Sequence, residues 1–436
     1  MNSHPLAVPA RDAKTLSCRQ RPRSPSRLLG GCCKAFALLI GCGLALPSHA
    51  LTYVEARTLV EQSSPALQAQ QAALSGAMAA QGSADALPDP RLSVGIENLP
   101  ISGADRFSLS RDFMTMQRIG LMQEVPNLAK RDARTQGAHA RADRERAVLT
   151  MARLQLLQAL DRAWLSAQFA LRREAALAEV TLENQRLQAS LPGRVAAGTA
   201  QATDLLMARQ EALALADRRD DLARDELKAR AALRRLVGPR ADEPLIGDAS
   251  VPAPEPAQLR AQLSQNADLA VYPAMLGMAQ AELREAQAES RGDWSWEVAY
   301  SRRGAQWGDM VSLQLSFDLP WQKDRRQLPA IKAKQREAER IEAEREDLLR
   351  RRAQEQDEQV AELGALDRQL ERLNGAGLRL ARERVELAMA GYQSGKADLG
   401  AVLSVRRELL EARLRVLELE AQRADLRARL NNLVSE

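Results

Sequence analysis

Four short stretches of this chain alternate apolar and polar residues, and most of the rest carries apolar residues at helical spacing. Over 91–98, Leu92, Val94 and Ile96 fall on one face and Ser93, Gly95 and Glu97 on the other. Residues 115–125 read as a second strand, ended by Pro126. Residues 293–301 set Trp294, Trp296, Val298 and Tyr300 on one face. Residues 310–319 set Val311, Leu313, Leu315, Phe317 and Leu319 against Ser312, Gln314, Ser316 and Asp318, and Pro320 closes the run. A helix from Thr52, a possible N-cap, to about residue 86 precedes the first pair, and a helix over 257–289 precedes the second. Each pair is followed by a long helix that turns back as an antiparallel partner. The first such hairpin spans 128–237, with its long arm expected to end near residue 188 and Pro192-Gly193 and Gly198 breaking it. The second spans 325–434 and turns at Gly391–Gly395. Apolar pairs recur every seven positions, at Val402-Leu403, Leu409-Leu410 and Val416-Leu417, and at Leu205-Leu206 and Ala212-Leu213 in the first hairpin, a seam for neighbouring helices.

The repeated order of elements is a tandem duplication. Residues 198–238 align without a gap on 395–435, with about 13 of 41 positions identical, among them Gly198/Gly395, Leu206/Leu403, Arg209/Arg406 and Glu211/Glu408. A period near 200 residues is too long for a solenoid unit. The expected boundaries are a leader at 1–50, a first repeat at 51–238, a Pro-, Gly- and Asp-rich linker at 239–256 and a second repeat at 257–436.

Composition narrows the class. Aromatic residues make up only 3% of the chain, which suits long rods joined by many small contacts. Arg11, Lys14, Arg19, Arg21, Arg23, Arg27 and Lys34 precede an apolar run at 35–46, and Ser48-His49-Ala50 follows. This reads as a secretory signal peptide cleaved before Leu51; Leu39-Ile40-Gly41-Cys42 also fits a lipobox, and both readings stand here. Without residues 1–50 the charge balance falls from +5 to about −1, so the basic character is no evidence for nucleic acid. Cys18, Cys32, Cys33 and Cys42 all lie in the leader, and His139 is the one histidine after it. No thiol–histidine cluster for a metal and no catalytic constellation remains, so neither enzyme activity nor a cofactor is expected. His139 reads as a solvated helical residue, and 334–358 as a solvated charged helix face with i,i+4 pairs.

No second apolar run reaches 18 residues, so an exported chain of this kind is either soluble outside the cytoplasm or part of an outer-membrane β-barrel. The strands have the length membrane strands need. Trp294, Trp296, Tyr300, Trp307 and Trp321 cluster at the second pair, with Phe107 and Phe113 in the first hairpin loop, as a membrane interface selects. Soluble hairpins at the end of a helical bundle are the competing reading. Four strands cannot close a barrel, whereas a trimer supplies twelve.

The mature chain resembles the TolC-like outer-membrane efflux factors over essentially its whole length. The resemblance rests on LTYVEARTLVEQSSPALQAQ (51–70), on the strand-to-helix passages QEVPNLAKRDAR (123–134) and FDLPWQKDRRQ (317–327), and on the hairpin tips RVAAGTAQATDLLMAR (194–209) and GYQSGKADLGAVLSVR (391–406). ALPDPRLSVGIENLPI (86–101) with RDFMTMQRIGLMQEVPNLAKR (111–131) looks most like the heavy-metal efflux branch. The resemblance implies a mainly α fold whose long coiled-coil hairpins form an α-barrel, with four strands per chain completing a twelve-stranded barrel in a homotrimer. It implies an outer-membrane duct reaching into the periplasm, which receives substrate from a membrane-fusion adaptor and an inner-membrane resistance-nodulation-division pump. The tips would form the periplasmic aperture. Asp204 and Tyr392 match the family latch; the family arginine is Ala397 here, with Lys396 beside it. Arg194, Gly198, Leu205, Leu206, Gly395, Val402 and Leu403 would form the adaptor-docking surface. The family's acidic ring falls on Ala401 and Ser404 and is not carried over.

Overall fold

A computed structural model describes residues 50–247 and 266–431, with single positions 259, 261 and 263 between them. The expected leader up to residue 49, the expected linker residues 248–256 and residues 432–436 lie outside the described residues.

The chain enters through β1 (Leu51–Thr52) and α1 (Tyr53–Ser63). Thr52 caps α1 reciprocally: the Glu55 amide donates to Thr52 Oγ1 (3.3 Å), and the Thr52 amide donates to Glu55 Oε2 (3.1 Å). The single helix expected to residue 86 is two. Ser64 is extended, and Pro65 opens α2 (Pro65–Gln81), because proline presets φ at a first helical position and pushes the residue before it out of the helical region.

The strands β2 (Arg91–Glu97), β3 (Met116–Val125), β5 (Trp294–Arg302) and β6 (Met310–Phe317) form one antiparallel sheet in the order β2-β3-β5-β6. The first repeat thus supplies one half of the sheet and the second repeat the other, joined along β3 and β5. A separate parallel pair links β1 to β4 (Leu245–Ile246), with Leu51 opposite Leu245. The stretch expected to be linker therefore begins as structure: a 3-10 turn at Gly238–Asp242, then β4.

From the sheet, α3 (Leu128–Ala196) descends for 69 residues, roughly 100 Å at 1.5 Å per residue, and α4 (Ala202–Val237) returns beside it. Pro192 does not break α3. It lies near the helix end, where it forfeits the one bond its missing N–H would give the Gln188 carbonyl, and the fully buried Leu191 holds that turn against the neighbouring helices. In the second repeat, the short α5 (Ala267–Ala270) and α6 (Tyr272–Ala288) stand where one helix was expected. Then α7 (Leu328–Arg372) and α8 (Leu378–Gln393) descend, with a π turn at Lys323–Gln327 leading into α7 and another at Leu373–Gly377 interrupting the expected single rod, and α9 (Leu399–Asn431) returns.

The core is a series of separate clusters along the rods. One gathers Leu51, Val60, Leu160, Trp164, Phe169 and Leu233 around the chain entry. There the Tyr53 hydroxyl donates to Asp161, and its ring meets Trp164 edge-on at 5.7 Å. A second joins Leu366 and Leu370 of α7 to Val416, Leu419 and Leu426 of α9. A third joins Leu177 to Leu215, Leu222, Leu410 and Leu414, so α9 packs on the first hairpin as well as the second. The last closes the tips. Exposed leucines remain at heptad spacing on α4 (Leu206, Leu213, Leu227) and on α8 (Leu380, Leu387). The charged stretch over 334–358 is mostly exposed and carries the i,i+4 pairs Arg340–Glu344, Arg350–Glu346 and Arg351–Asp347, and His139 is exposed.

Candidate functional site

Two regions could carry function: the two-faced sheet at one end of the rods and the paired hairpin tips at the other. Register makes the sheet two-faced. One row crosses all four strands as Leu92, Leu121, Val298 and Leu313, and the next as Val94, Ile119, Tyr300 and Val311. Every one of these side chains is exposed, so a broad apolar face has no cover among the described residues. The opposite face is small and polar: Ser93, Gly120, Ala299 and Ser312 form one row. There Arg118 bridges Glu97 (2.6 Å) and Glu297 (2.9 Å). Gly120 makes room for that bridge, since a Cβ there would lie 2.6 Å from Glu297 Oε1 and 2.7 Å from Ser93 Oγ.

The aromatic residues sit at the two ends of the apolar face. Trp294 pairs across β5 and β6 with Phe317, near Leu319 and the 88% exposed Trp321. At the other end, Trp307 meets Phe113 edge-on at 6.2 Å, and the Tyr300 hydroxyl donates to Asp309. Trp296 lies one row inward of Trp294, opposite Leu315. Two aromatic bands flanking an apolar belt are the layout a bilayer selects in a barrel strand. Among the described residues, the edges β2 and β6 have no further strand partner.

At the tips, both helical hairpins turn through the same motif. The Thr199 amide donates to the Arg194 carbonyl (2.9 Å) and the Gly198 amide to the Val195 carbonyl (3.0 Å). The Lys396 amide donates to the Gly391 carbonyl (2.8 Å) and the Gly395 amide to the Tyr392 carbonyl (3.1 Å). This is the Schellman cap, whose C′ residue must be left-handed; φ is +71° at Gly198 and +70° at Gly395. The glycines retained in both repeats are helix terminators.

A buried polar contact also joins the tips. The Tyr392 hydroxyl donates to Asp204 Oδ2 at 3.0 Å, and Asp204 is only 5% exposed. The same oxygen accepts from the Gln201 amide (3.1 Å), which fixes the carboxylate at the start of α4. Burial, and then the hydrogen bond to Asp204 and its charge, push the Tyr392 phenol above its ordinary range, against a smaller opposing pull from Arg194. The expected cation is corrected. Lys396 is exposed and contributes a main-chain amide, while the Arg194 guanidinium lies 5.0 Å from the centre of the Tyr392 ring. Arg194, expected at a docking surface, thus lies against the contact between Tyr392 and Asp204.

Val402 and Leu403 are also corrected. Both are buried with Leu191, Ala208 and Leu399, so neither presents a surface to a partner. Leu206, their counterpart in the first repeat, is 64% exposed, and Leu205 is half-buried. The two helices differ because α9 is wedged between both hairpins and buries residues on two sides, whereas α4 buries the narrower stripe Asp204, Ala208, Glu211 and Leu215.

That stripe contains a contact the sequence reading missed. Buried Glu211, one heptad above Asp204, accepts from the Arg407 guanidinium. Its repeat counterpart, Glu408, pairs with Arg384 at 2.6 Å. The glutamate retained in both copies was the available signal: each copy uses it to bind an arginine on a neighbouring helix. No group of three or more His, Cys, Asp or Glu residues that could hold a metal occurs among the described residues.

No protein-family model and no curated protein sequence matches the chain. Solved structures do. A membrane protein from Pseudomonas aeruginosa superposes with a TM-score of 0.74 at 17% identity, covering 88% of this chain and 93% of that one. The outer membrane protein VceC of Vibrio cholerae gives 0.72 at 19% identity, covering 87% and 95%. CusC, whose structures concern transmembrane channel formation, gives 0.73 at 15% identity, covering 88% and 92%. The chain has the fold of the TolC-like outer-membrane channels: mainly helical, with very long helices and a four-stranded antiparallel sheet.

Proposed function

We propose that this chain is the outer-membrane exit duct of a tripartite efflux system. The observation that carries the reading is the sheet: an uncovered apolar face bounded by aromatic residues, a small polar face behind it, and two free edges. A sheet with free edges cannot stand in a bilayer; closing β6 of one chain on β2 of the next satisfies both. Three chains give a twelve-stranded barrel, and the leucine stripes on α4 and α8 supply the seam between protomers. The helices then surround a periplasmic conduit that opens at the tips, and conduction is passive, with energy supplied by an inner-membrane resistance-nodulation-division pump through a periplasmic adaptor. The adaptor meets the tip surface around Gly198, Leu205, Leu206 and Gly395. Asp204, Tyr392 and Arg194 hold the aperture closed. The cargo is heavy-metal cations, a reading supported by the sequence resemblance around 86–131.

Reconstitution tests the duct. Heat-resistant trimers in an outer-membrane fraction and ion conductance in planar bilayers are expected; a soluble, non-conducting monomer overturns the reading. Deletion of the gene is expected to sensitise cells to heavy metals, and drug sensitivity with unchanged metal tolerance reassigns the cargo.

A further inference from the structure

The two strand-to-helix passages align at Pro126 and Pro320, and they treat their charges in opposite ways. In the first repeat the passage is bound to protein. The Asn127 side-chain oxygen accepts from the Lys130 amide (3.0 Å), capping α3, and its amide nitrogen reaches Asp293 (3.0 Å). Lys130 pairs with Asp293 (3.0 Å) and Arg131 with Asp85 (2.8 Å). In the second repeat Trp321 replaces Asn127, and the cap is lost. The chain enters a π turn that leaves Lys323, Arg325 and Arg326 exposed, with no carboxylate at ion-pair distance among the described residues. Arg325 stands where Arg131 stands in the first copy. Next to these cations lie exposed Trp321, Leu319 and Phe317, at the helix end of the apolar sheet face. An aromatic ring and aliphatic side chains followed by unpaired cations match, in order of depth, the acyl boundary and the phosphates of a lipid leaflet.

We propose that Trp321 with Lys323, Arg325 and Arg326 forms a binding surface for anionic phospholipid headgroups in the periplasmic leaflet, once per protomer. This rests on the outer-membrane duct reading, and the test separates the two. The full-length trimer is purified in neutral detergent and titrated with phosphatidylglycerol or phosphatidylcholine, and bound lipid is counted by native mass spectrometry. Wild type is expected to favour phosphatidylglycerol. Replacing all three cations (Lys323→Gln, Arg325→Gln, Arg326→Gln) is expected to cut that preference by on the order of tenfold or more, from the usual contribution of each basic side chain near an anionic surface. Trp321→Ala is expected to weaken both lipids alike, and Arg131→Gln to leave the preference intact. Where the triple variant does not assemble, Arg325→Gln alone is read, with Arg325→Lys restoring the preference. A conducting wild-type trimer that shows no preference, or a triple variant that keeps it, overturns this inference and leaves the duct standing. A chain that neither trimerises nor conducts overturns the duct, and this surface with it.

Discussion

Tyr392→Phe is the most searching perturbation of the tips. It deletes one oxygen and keeps the ring that packs in the tip cluster beneath Arg194. What is lost is the 3.0 Å hydrogen bond to a carboxylate that is 5% exposed. A hydrogen bond to a charged group contributes about 1.5–3 kcal/mol. If opening parts Tyr392 from Asp204, that corresponds to roughly a 10- to 150-fold rise in the open-to-closed ratio at each tip. Asp204→Ala is less clean, because it also strips the acceptor from the Gln201 amide at the start of α4. Asp204→Asn keeps an oxygen for that amide and removes the charge. Single-channel recording on reconstituted trimers gives the open fraction. Tyr392→Phe and Asp204→Asn should each raise it, and the double variant should add little beyond either, as expected of two halves of one contact. Open fractions within about twofold of wild type in both single variants would refute the latch reading; additive effects would show that the residues act separately.

Further expectations follow from the same geometry. The Tyr392 phenol holds its proton more tightly in the latched chain, so the closed state keeps its full advantage below the ordinary phenol value near 10 and loses it as pH rises beyond that. Conductance should therefore climb at alkaline pH in wild type, and Tyr392→Phe should abolish that climb. Gly198→Ala or Gly395→Ala forces a side chain into left-handed backbone and should cost about 1–2 kcal/mol, read as a lower midpoint of thermal unfolding; Gly193→Ala, in helical backbone with open space, is the control that should not. Trp164→Ala removes a fully buried ring from the chain-entry cluster and should cost about 3–5 kcal/mol in denaturant unfolding. Tyr53→Phe, which spares the ring contact and removes only the bond to Asp161, should cost less and show as faster proteolysis of α1.

The strands were legible because alternation is a local signal, and Leu92, Val94 and Ile96 share a face under any tertiary arrangement. Helix continuity was less so. Pro65 starts a helix and Pro192 is tolerated inside one; the difference lies in Leu191, whose burial in the tip cluster is a long-range fact. At the tips, the approach of Asp204 to Tyr392 followed from the resemblance, but the cation did not. Nothing local distinguishes Lys396 from Arg194, and the outcome depends on which of them the packing of α3 against α8 brings over the ring. The paired leucines misled for a related reason. A heptad pair reports that a helix has neighbours, not how many, and α9 has them on two sides where α4 leaves Leu206 and Leu213 uncovered. The pairing of β1 with β4 was illegible because two-residue strands carry no periodicity.

That small pairing bears on how the chain is processed. It holds Leu51 fully buried in the cluster around Asp161 and Trp164, some 33 residues down α3 from Leu128, or about 50 Å of helix. The nine Cα steps from Cys42 to Leu51 reach at most about 32 Å when fully extended. A lipid on Cys42 seated in the leaflet beside the barrel would have to pull Leu51 off Leu245 and unmake the chain-entry cluster. Cleavage before Leu51 would ask for no such tether, but it would have to come before β1 docks, because afterwards the fully buried Leu51 is out of a protease's reach. The mass of the mature N-terminus distinguishes the two: a chain beginning at Leu51 is compatible with an intact entry cluster, and a lipidated Cys42 is not.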